Sequence, residues 1–466
     1  VTPWSGSRFA VIIAGETSTF DDEVVTTMDT RPDSAGALEL VFLGEYEQAL
    51  RIATPILEAS PSDLNAWYIA ARCLVELGET ELGLKNLEHN AVAYAHAGRP
   101  VLALSRAKEL EALGGKEDKI TKIVARLYSS SSKRVAELDP EPPPLPQGVM
   151  EPISGRVALS QVVDKAKQAV AVAWGQSLTE DSSGPLPFVP LWSALSEEDF
   201  SALARSLERI VVKPDEVIIA QNVVGDAMFA IAEGEVEVMR IDDGEGAPTT
   251  TVLLARLAPG AFFGEMSLVS AAPRAAEVRA SSTCVLLRAT KQALEELATK
   301  EPQIGDMLVA FCHARMLENV MRVSPVLSPV PASRRAEVIA RFGTDFKESG
   351  EVIIAQDEEG LGLYVIVSGK VLVHKNMGGK VVQLATLGPG DLFGEISLIM
   401  RRKSTATVTA VEDTALLFLP RQEFASATRE YPELLKGAYD IALDRELKNN
   451  SILAQGRASE VDIVLV

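Results

Sequence analysis

The chain has 466 residues, enough for about three domains that each bury a core. Its 47% hydrophobic and 24% charged residues are ordinary for a globular protein. With 45 basic against 65 acidic residues the net charge is −20, which disfavours non-specific nucleic-acid or anionic-membrane binding, since both attract a basic face. In chain order, residues 1–33 show no sustained periodicity and are expected to be a flexible tail. No signal peptide is expected, because the apolar run Phe9–Ala14 is short and lacks the flanks of one.

From 35 to 130 the pattern is helical. Gly44-Glu-Tyr-Glu-Gln-Ala49 precedes Pro61, and Trp67, Ala70, Ala71 and Gly78 continue the phase, with Gly83 where Ala is expected. An irregular third unit carries Ala91, Tyr94, Gly98, Pro100 and Ala103. This stretch resembles the tetratricopeptide (TPR) repeat, and the resemblance implies a TPR-like groove for a protein partner. The alternative is a helical bundle that packs on the rest of the protein. Residues 131–184 form a linker, marked by Ser129–Ser132 and the proline run Asp139–Pro146, with one helix at about 156–174.

A domain follows over 185–322, its first helix capped at Ser196-Glu-Glu-Asp199. Glu216–Gln221, Gly234–Met239 and Val278–Leu287 read as strands between close turns, the pattern of a jelly roll or barrel. Within it lies Phe262-Phe-Gly-Glu-Met-Ser-Leu268, then Pro273-Arg-Ala-Ala276. Gly264 permits a tight turn whose amides favour an anion. Arg274 offers a planar fork for two phosphate oxygens, and Glu265 an acceptor for a sugar hydroxyl. One cation, one carboxylate and a glycine turn suit a phosphorylated sugar of low charge.

The run resembles the phosphate-binding cassette of the cyclic nucleotide-binding domain. The resemblance implies a ligand site of Phe263, Gly264, Glu265, Met266, Ser267, Pro273, Arg274 and Ala275. Glu265 is expected on the ribose 2′-hydroxyl and Arg274 on the cyclic phosphate, with cradle amides around Gly264, Met266 and Ala275. The competing account is that Gly264 serves a turn while Glu265 and Arg274 pair with each other. Ala275, where cyclic-GMP-selective relatives often have Thr, leans toward cyclic AMP. A helix over Lys291–Arg322 is expected to fold across the barrel, with Phe311, His313 and Leu317 as candidate lid residues.

Residues 325–448 repeat the domain. Glu351–Gln356 is identical to Glu216–Gln221, 135 positions on, and Phe393-Gly-Glu-Ile-Ser-Leu398 follows its counterpart by 130. The copy departs at Ser404, which stands where Arg274 does, so Gly394, Glu395, Ser404 and Thr405 make at most a weak site. Either Arg401, Arg402 or Lys403 replaces the lost cation, or this is a structural copy; the second is favoured. Its closing helix is expected over Arg421–Lys448, and residues 449–466 are a tail with no room for a helix-turn-helix, so DNA binding is not expected. Regulatory subunits of cyclic-AMP-dependent kinases share the tandem layout, but no Arg-Arg-x-Ser/Ala inhibitor segment occurs between 135 and 190.

Cys73, Cys284 and Cys312 are odd in number and far apart, giving neither a disulfide framework nor a paired metal site. His89, His96, His313 and His374 form no metal cluster, and no apolar run reaches the ~18–20 residues of a membrane span. With no nucleophile–base pair or triphosphate loop, an enzyme is not expected. The sequence therefore reads as a multidomain α + β chain: TPR-like helices, then two cyclic-nucleotide-binding-type β jelly rolls with flanking helices. Its expected role is a cytoplasmic regulator that couples cyclic AMP (or cyclic GMP) to a protein partner, with no cofactor. The alternative is a non-catalytic scaffold whose nucleotide-type domains bind nothing.

Overall fold

In the computed structural model the described residues are 33–135, 149–177, 184–242, 250–265, 268, 273–323, 330–331, 334, 337–338, 340–377 and 380–454. Six helices come first: α1 (Ser34–Phe42), α2 (Tyr46–Ala59), α3 (Leu64–Glu76), α4 (Thr80–His96), α5 (Pro100–Ala112) and α6 (Asp118–Tyr128). The Asp33 and Asp63 carboxylates cap α1 and α3 by accepting from the amides of Gly36 and Ala66. Gly44, Gly78, Gly98 and Gly114 end α1, α3, α4 and α5 in the left-handed conformation that side chains resist. The helix of the linker, α7 (Leu159–Ser177), lies slightly later than its sequence reading and packs back on α2, α3 and α4. The proline run itself and the N-terminal tail to residue 32 lie outside the described residues.

After α8 (Glu197–Ser206), capped by Ser196 as expected, come β1 (Glu208–Val212), β2 (Val217–Ile219), β3 (Ala227–Glu233) and β4 (Val236–Asp242). They continue as β5 (Thr250–Leu257), β6 (Phe262–Phe263), β7 (Glu277–Ala280) and β8 (Cys284–Thr290). The single strand read over Val278–Leu287 is two strands in different sheets, broken by a turn at Ser281–Thr283. Two antiparallel four-stranded sheets result, ordered β1-β8-β3-β6 and β2-β7-β4-β5. The long helix expected next is likewise two, α9 (Lys291–Lys300) and α10 (Pro302–Val323), because Pro302 has no N–H to continue α9 and starts α10 instead.

The second domain repeats this order strand for strand. It consists of β9 (Gly343–Lys347), β10 (Val352–Ile354), β11 (Gly362–Ser368), β12 (Val371–Met377), β13 (Lys380–Leu387) and β14 (Leu392–Phe393), then α11 (Glu395–Ile399), β15 (Thr407–Ala410) and β16 (Thr414–Pro420). Its sheets are β9-β16-β11-β14 and β10-β15-β12-β13. The closing stretch is again split at a proline, into α12 (Arg421–Glu430) and α13 (Pro432–Ala454), so helix extends beyond residue 448; residues 455–466 lie outside the described set.

Strand β3 explains how the parts meet. Its sequence AMFAIAE is apolar on both faces, and alternation sends Ala227, Phe229 and Ile231 into the barrel interior. Met228, Ala230 and Ala232 face outward and join one continuous core with the N-terminal helices. Val285, Leu287 and Ala289 of β8 do the same. In the second domain the outward residues of β11, Leu363, Val365 and Val367, are covered by that domain's own Phe342, Phe424, Ala427 and Leu434.

Candidate nucleotide site

The site of the first domain is built at the end of β6. Phe263 lies inside the barrel, stacked on Phe229 with ring centroids 5.1 Å apart, and so anchors the start of the cassette. Gly264 then turns left-handed at φ 81°. A Cβ there would meet the Ala227 carbonyl at 3.1 Å and Arg274 Nη1 at 3.2 Å, so the position needs glycine on both conformational and spatial grounds. Glu265 follows, 3% exposed. Met266 and Ser267 lie outside the described residues.

Arg274 is buried, and the backbone fixes its pose. Its amide donates to Val223 O at 3.0 Å and its carbonyl accepts from the Asn222 amide at 2.9 Å. Nη1 donates to Gly264 O at 2.6 Å and Nη2 to Ala227 O at 2.7 Å, while Nε has no partner among the described residues. Burial pulls its pKa below the ordinary guanidinium value, with Glu265 and Asp226 opposing that pull. Among the described residues no carboxylate comes within ion-pair distance of Arg274, so the simple Glu265–Arg274 pair is not what forms. Pro273 and Ala275 flank it, half-buried.

Glu265 has a different neighbour. Arg315 of α10 brings Nε to 3.8 Å from Glu265 Oε1 and donates from Nη2 to Phe262 O at 3.2 Å. The Cys312 thiol, its pKa pushed up to about 12 by burial, donates to Glu265 O at 3.3 Å. Phe311 packs edge-on against Phe262 at 5.9 Å, and Trp192 meets Phe262 from the other side at 5.5 Å. Of the three candidate lid residues, Phe311 thus touches the cassette, and the side chains of His313 and Leu317 lie outside the described residues.

The second domain keeps the same frame. Gly394 has φ 89°, Glu395 is 2% exposed, and the Ser404 backbone repeats the Arg274 pattern, with Asp357 N on Ser404 O and Ser404 N on Glu358 O, both at 2.8 Å. Arg445 Nη1 donates to Glu395 Oε1 at 3.0 Å and also to Leu392 O. Burial raises the Glu395 pKa, and Arg445 works against that shift. The Ser404 hydroxyl is buried without a partner, and Thr405 beside it is half-buried. None of the three neighbouring cations takes the place of Arg274: Arg402 pairs with Glu446, and Arg401 and Lys403 are exposed.

Three groups were not read from the cassette. Arg315 and Arg445 stand 130 positions apart, as Glu265 and Glu395 do, and that shared offset was the available signal. Gly225 is the third: a Cβ there would lie 2.0 Å from Arg274 Nε. Among the described residues no group of three or more His, Cys, Asp or Glu could hold a metal, and no helix is long and apolar enough to cross a membrane.

A family model described as the cyclic nucleotide-binding domain matches residues 209–301 and 346–431. The cAMP-dependent protein kinase regulatory subunit of Dictyostelium discoideum is 30% identical over 246 residues, which are 50% of this chain and 69% of that protein. The corresponding subunit of Yarrowia lipolytica is 31% identical over 47% of this chain and 54% of its own length. The chain spans about half the length of several such relatives. Among solved structures, the regulatory domain of Toxoplasma gondii PKA with cAMP is 22% identical, covering 55% of this chain and 92% of that one at a TM-score of 0.27. The chain belongs to the cyclic nucleotide-binding domain family and carries two copies of that domain in tandem.

Proposed function

We propose that residues 185–322 bind a cyclic nucleotide, with Glu265 on the ribose 2′-hydroxyl and Arg274 on the cyclic phosphate, and that the protein is a non-catalytic regulator. The observation that carries this reading is the state of Arg274: a buried guanidinium oriented by two carbonyls, with Nε unpartnered. Among the described residues Arg274 has no counter-ion, and a buried cation without one is costly unless an anion arrives. The names of the relatives and Ala275 together favour cyclic AMP over cyclic GMP. Three buried free thiols fit a reducing, cytoplasmic setting.

Residues 325–448 act in this reading as a structural copy, because Ser404 removes the cation that Arg274 supplies in the first domain, and the Arg421 guanidinium beside the second cassette is directed at the Gly360 and Ser397 carbonyls. Arg315 makes the first site a switch. The ribose hydroxyl competes for the carboxylate that Arg315 approaches, so occupancy and the position of α10 are linked, and ~1–3 kcal/mol of coupling suffices for regulation. The class of partner that the relatives support is a protein kinase catalytic chain. The paired helices and the left-handed glycines between them support the TPR-like reading of residues 35–130, in which α5 packs on the first barrel.

The test is calorimetric titration of the whole chain with cyclic AMP and cyclic GMP beside Arg274→Ala. One site per chain is expected, weakened at least tens-fold by the substitution, as for removal of one partner of a desolvated charge pair at ~2–5 kcal/mol. A folded chain that gives no heat with either nucleotide would leave the scaffold reading in its place.

A further inference from the structure

Helix α5 docks on the outer sheet of the first barrel through a buried charge cluster. Arg106 is 1% exposed. Its Nη2 pairs with Glu233 at the end of β3, its Nη1 lies 3.4 Å from Glu109, and its guanidinium sits 3.3 Å over the ring of Tyr68. Glu109 in turn accepts from the Tyr68 hydroxyl at 2.8 Å and faces Arg72 at 3.2 Å and Arg209 of β1 at 3.5 Å. Thr283 of the barrel donates to Glu39 of α1 at 2.9 Å.

Strand β3 therefore has two ends with two tasks. Ala227, its first residue, offers the carbonyl that holds Arg274 Nη2; Glu233, its last, is held by Arg106. Between them Ala230 and Phe229 pair with Phe262 and Phe263 of the cassette strand, and Met228, Ala230 and Ala232 are embedded in the helical core. The second barrel offers an internal comparison. Ser368 stands where Glu233 does, its outer face is covered mainly by its own domain's residues, and Ser404 stands where Arg274 does. The copy that keeps the cation is the copy whose strand is tied.

We propose that the helical module regulates the nucleotide site of the first barrel: docking through Arg106 and Glu233 fixes strand β3, and with it the pose of Arg274. The proposal rests on the reading of that site given above. Its affinity consequence is that undocking weakens binding, although neither Arg106 nor Glu233 touches the site. By linkage, bound nucleotide must strengthen docking by the same factor.

The experiment uses the full chain. Cyclic AMP is titrated calorimetrically into wild type, Arg106→Met and Glu233→Gln, with folding checked by circular dichroism and melting. Both variants are expected to bind about 10-fold more weakly, within the 5–150-fold span of such couplings. In parallel, amide exchange of residues 100–112 in the wild type, which needs no variant, is expected to slow on saturation with cyclic AMP. Folded variants with wild-type affinity, together with exchange in α5 that ignores the ligand, would overturn the proposal while leaving the site intact. Absence of binding in the wild type would instead overturn the reading of the site, and the proposal with it.

Discussion

At the scale of single residues, Gly225 and Ser404 carry distinct predictions, one for each barrel. Gly225→Ala places a methyl group where Nε lies, and the flexible guanidinium is the part that yields. The expected outcome is at least a 10-fold loss of cyclic AMP affinity by calorimetry with little change in the melting temperature. In the second barrel, Ser404→Arg restores a cation to a frame whose backbone hydrogen bonds already match. The titration is expected to change from one to two sites per chain; a stoichiometry that stays at one would show that the copy has lost more than its cation. Glu265 and Arg274 were legible because a short motif fixes a glycine, two charges and their spacing at once. Arg315 was not, because its role depends on where α10 crosses the cassette, a tertiary fact that no local spacing encodes.

At the scale of elements, sequence reading placed the helices and most strands but joined pieces that the structure separates. Val278–Leu287 has apolar residues at both ends around the polar break Ser281–Thr283, a cluster that marks a turn but does not show that it carries the chain from one sheet to the other. The proline breaks before α10 and α13 were readable in principle, since a ring nitrogen cannot donate to the preceding turn. The end of α4 carries a pH prediction. His96 is held below its ordinary pKa by burial first and by Arg134 and Arg126 next. A histidine with a lowered folded pKa contributes stability that is fully present above the unfolded value of about 6.5 and is lost as the pH falls through the folded one. The melting temperature of the wild type is thus expected to fall more between pH 7.5 and 5.5 than that of His96→Asn. Equal slopes in the two proteins would assign the acid sensitivity to other groups.

At the scale of the whole molecule, the tandem barrels were legible because the chain prints its domain twice. The place of the helical module was not, since an amphipathic helix shows that it has a buried face and not what buries it. Helix α5 packs on the first barrel, and Trp67, Leu104, Ala230 and Leu287 belong to one continuous core. One consequence is thermodynamic. Scanning calorimetry is expected to resolve two transitions, the module melting together with the first barrel and the second barrel separately. Cyclic AMP is expected to raise the former alone, by the usual mass-action stabilisation of a liganded state. Three transitions, or a shift of both, would show that the shared core does not act as one cooperative unit.

The two-sided packing of β3 also bears on how this architecture can be taken apart. The second barrel carries its own cover over Leu363, Val365 and Val367, apart from a touch of α10 on β11, so it is expected to stand alone when cut out together with α10. The first barrel is not: without residues 34–128, the outward rows Met228, Ala230, Ala232 and Val285, Leu287, Ala289 become a sticky sheet face inviting self-association. The copy that keeps Arg274 is therefore the one that is not portable, and any reporter or chimaera built from it has to bring the helices along.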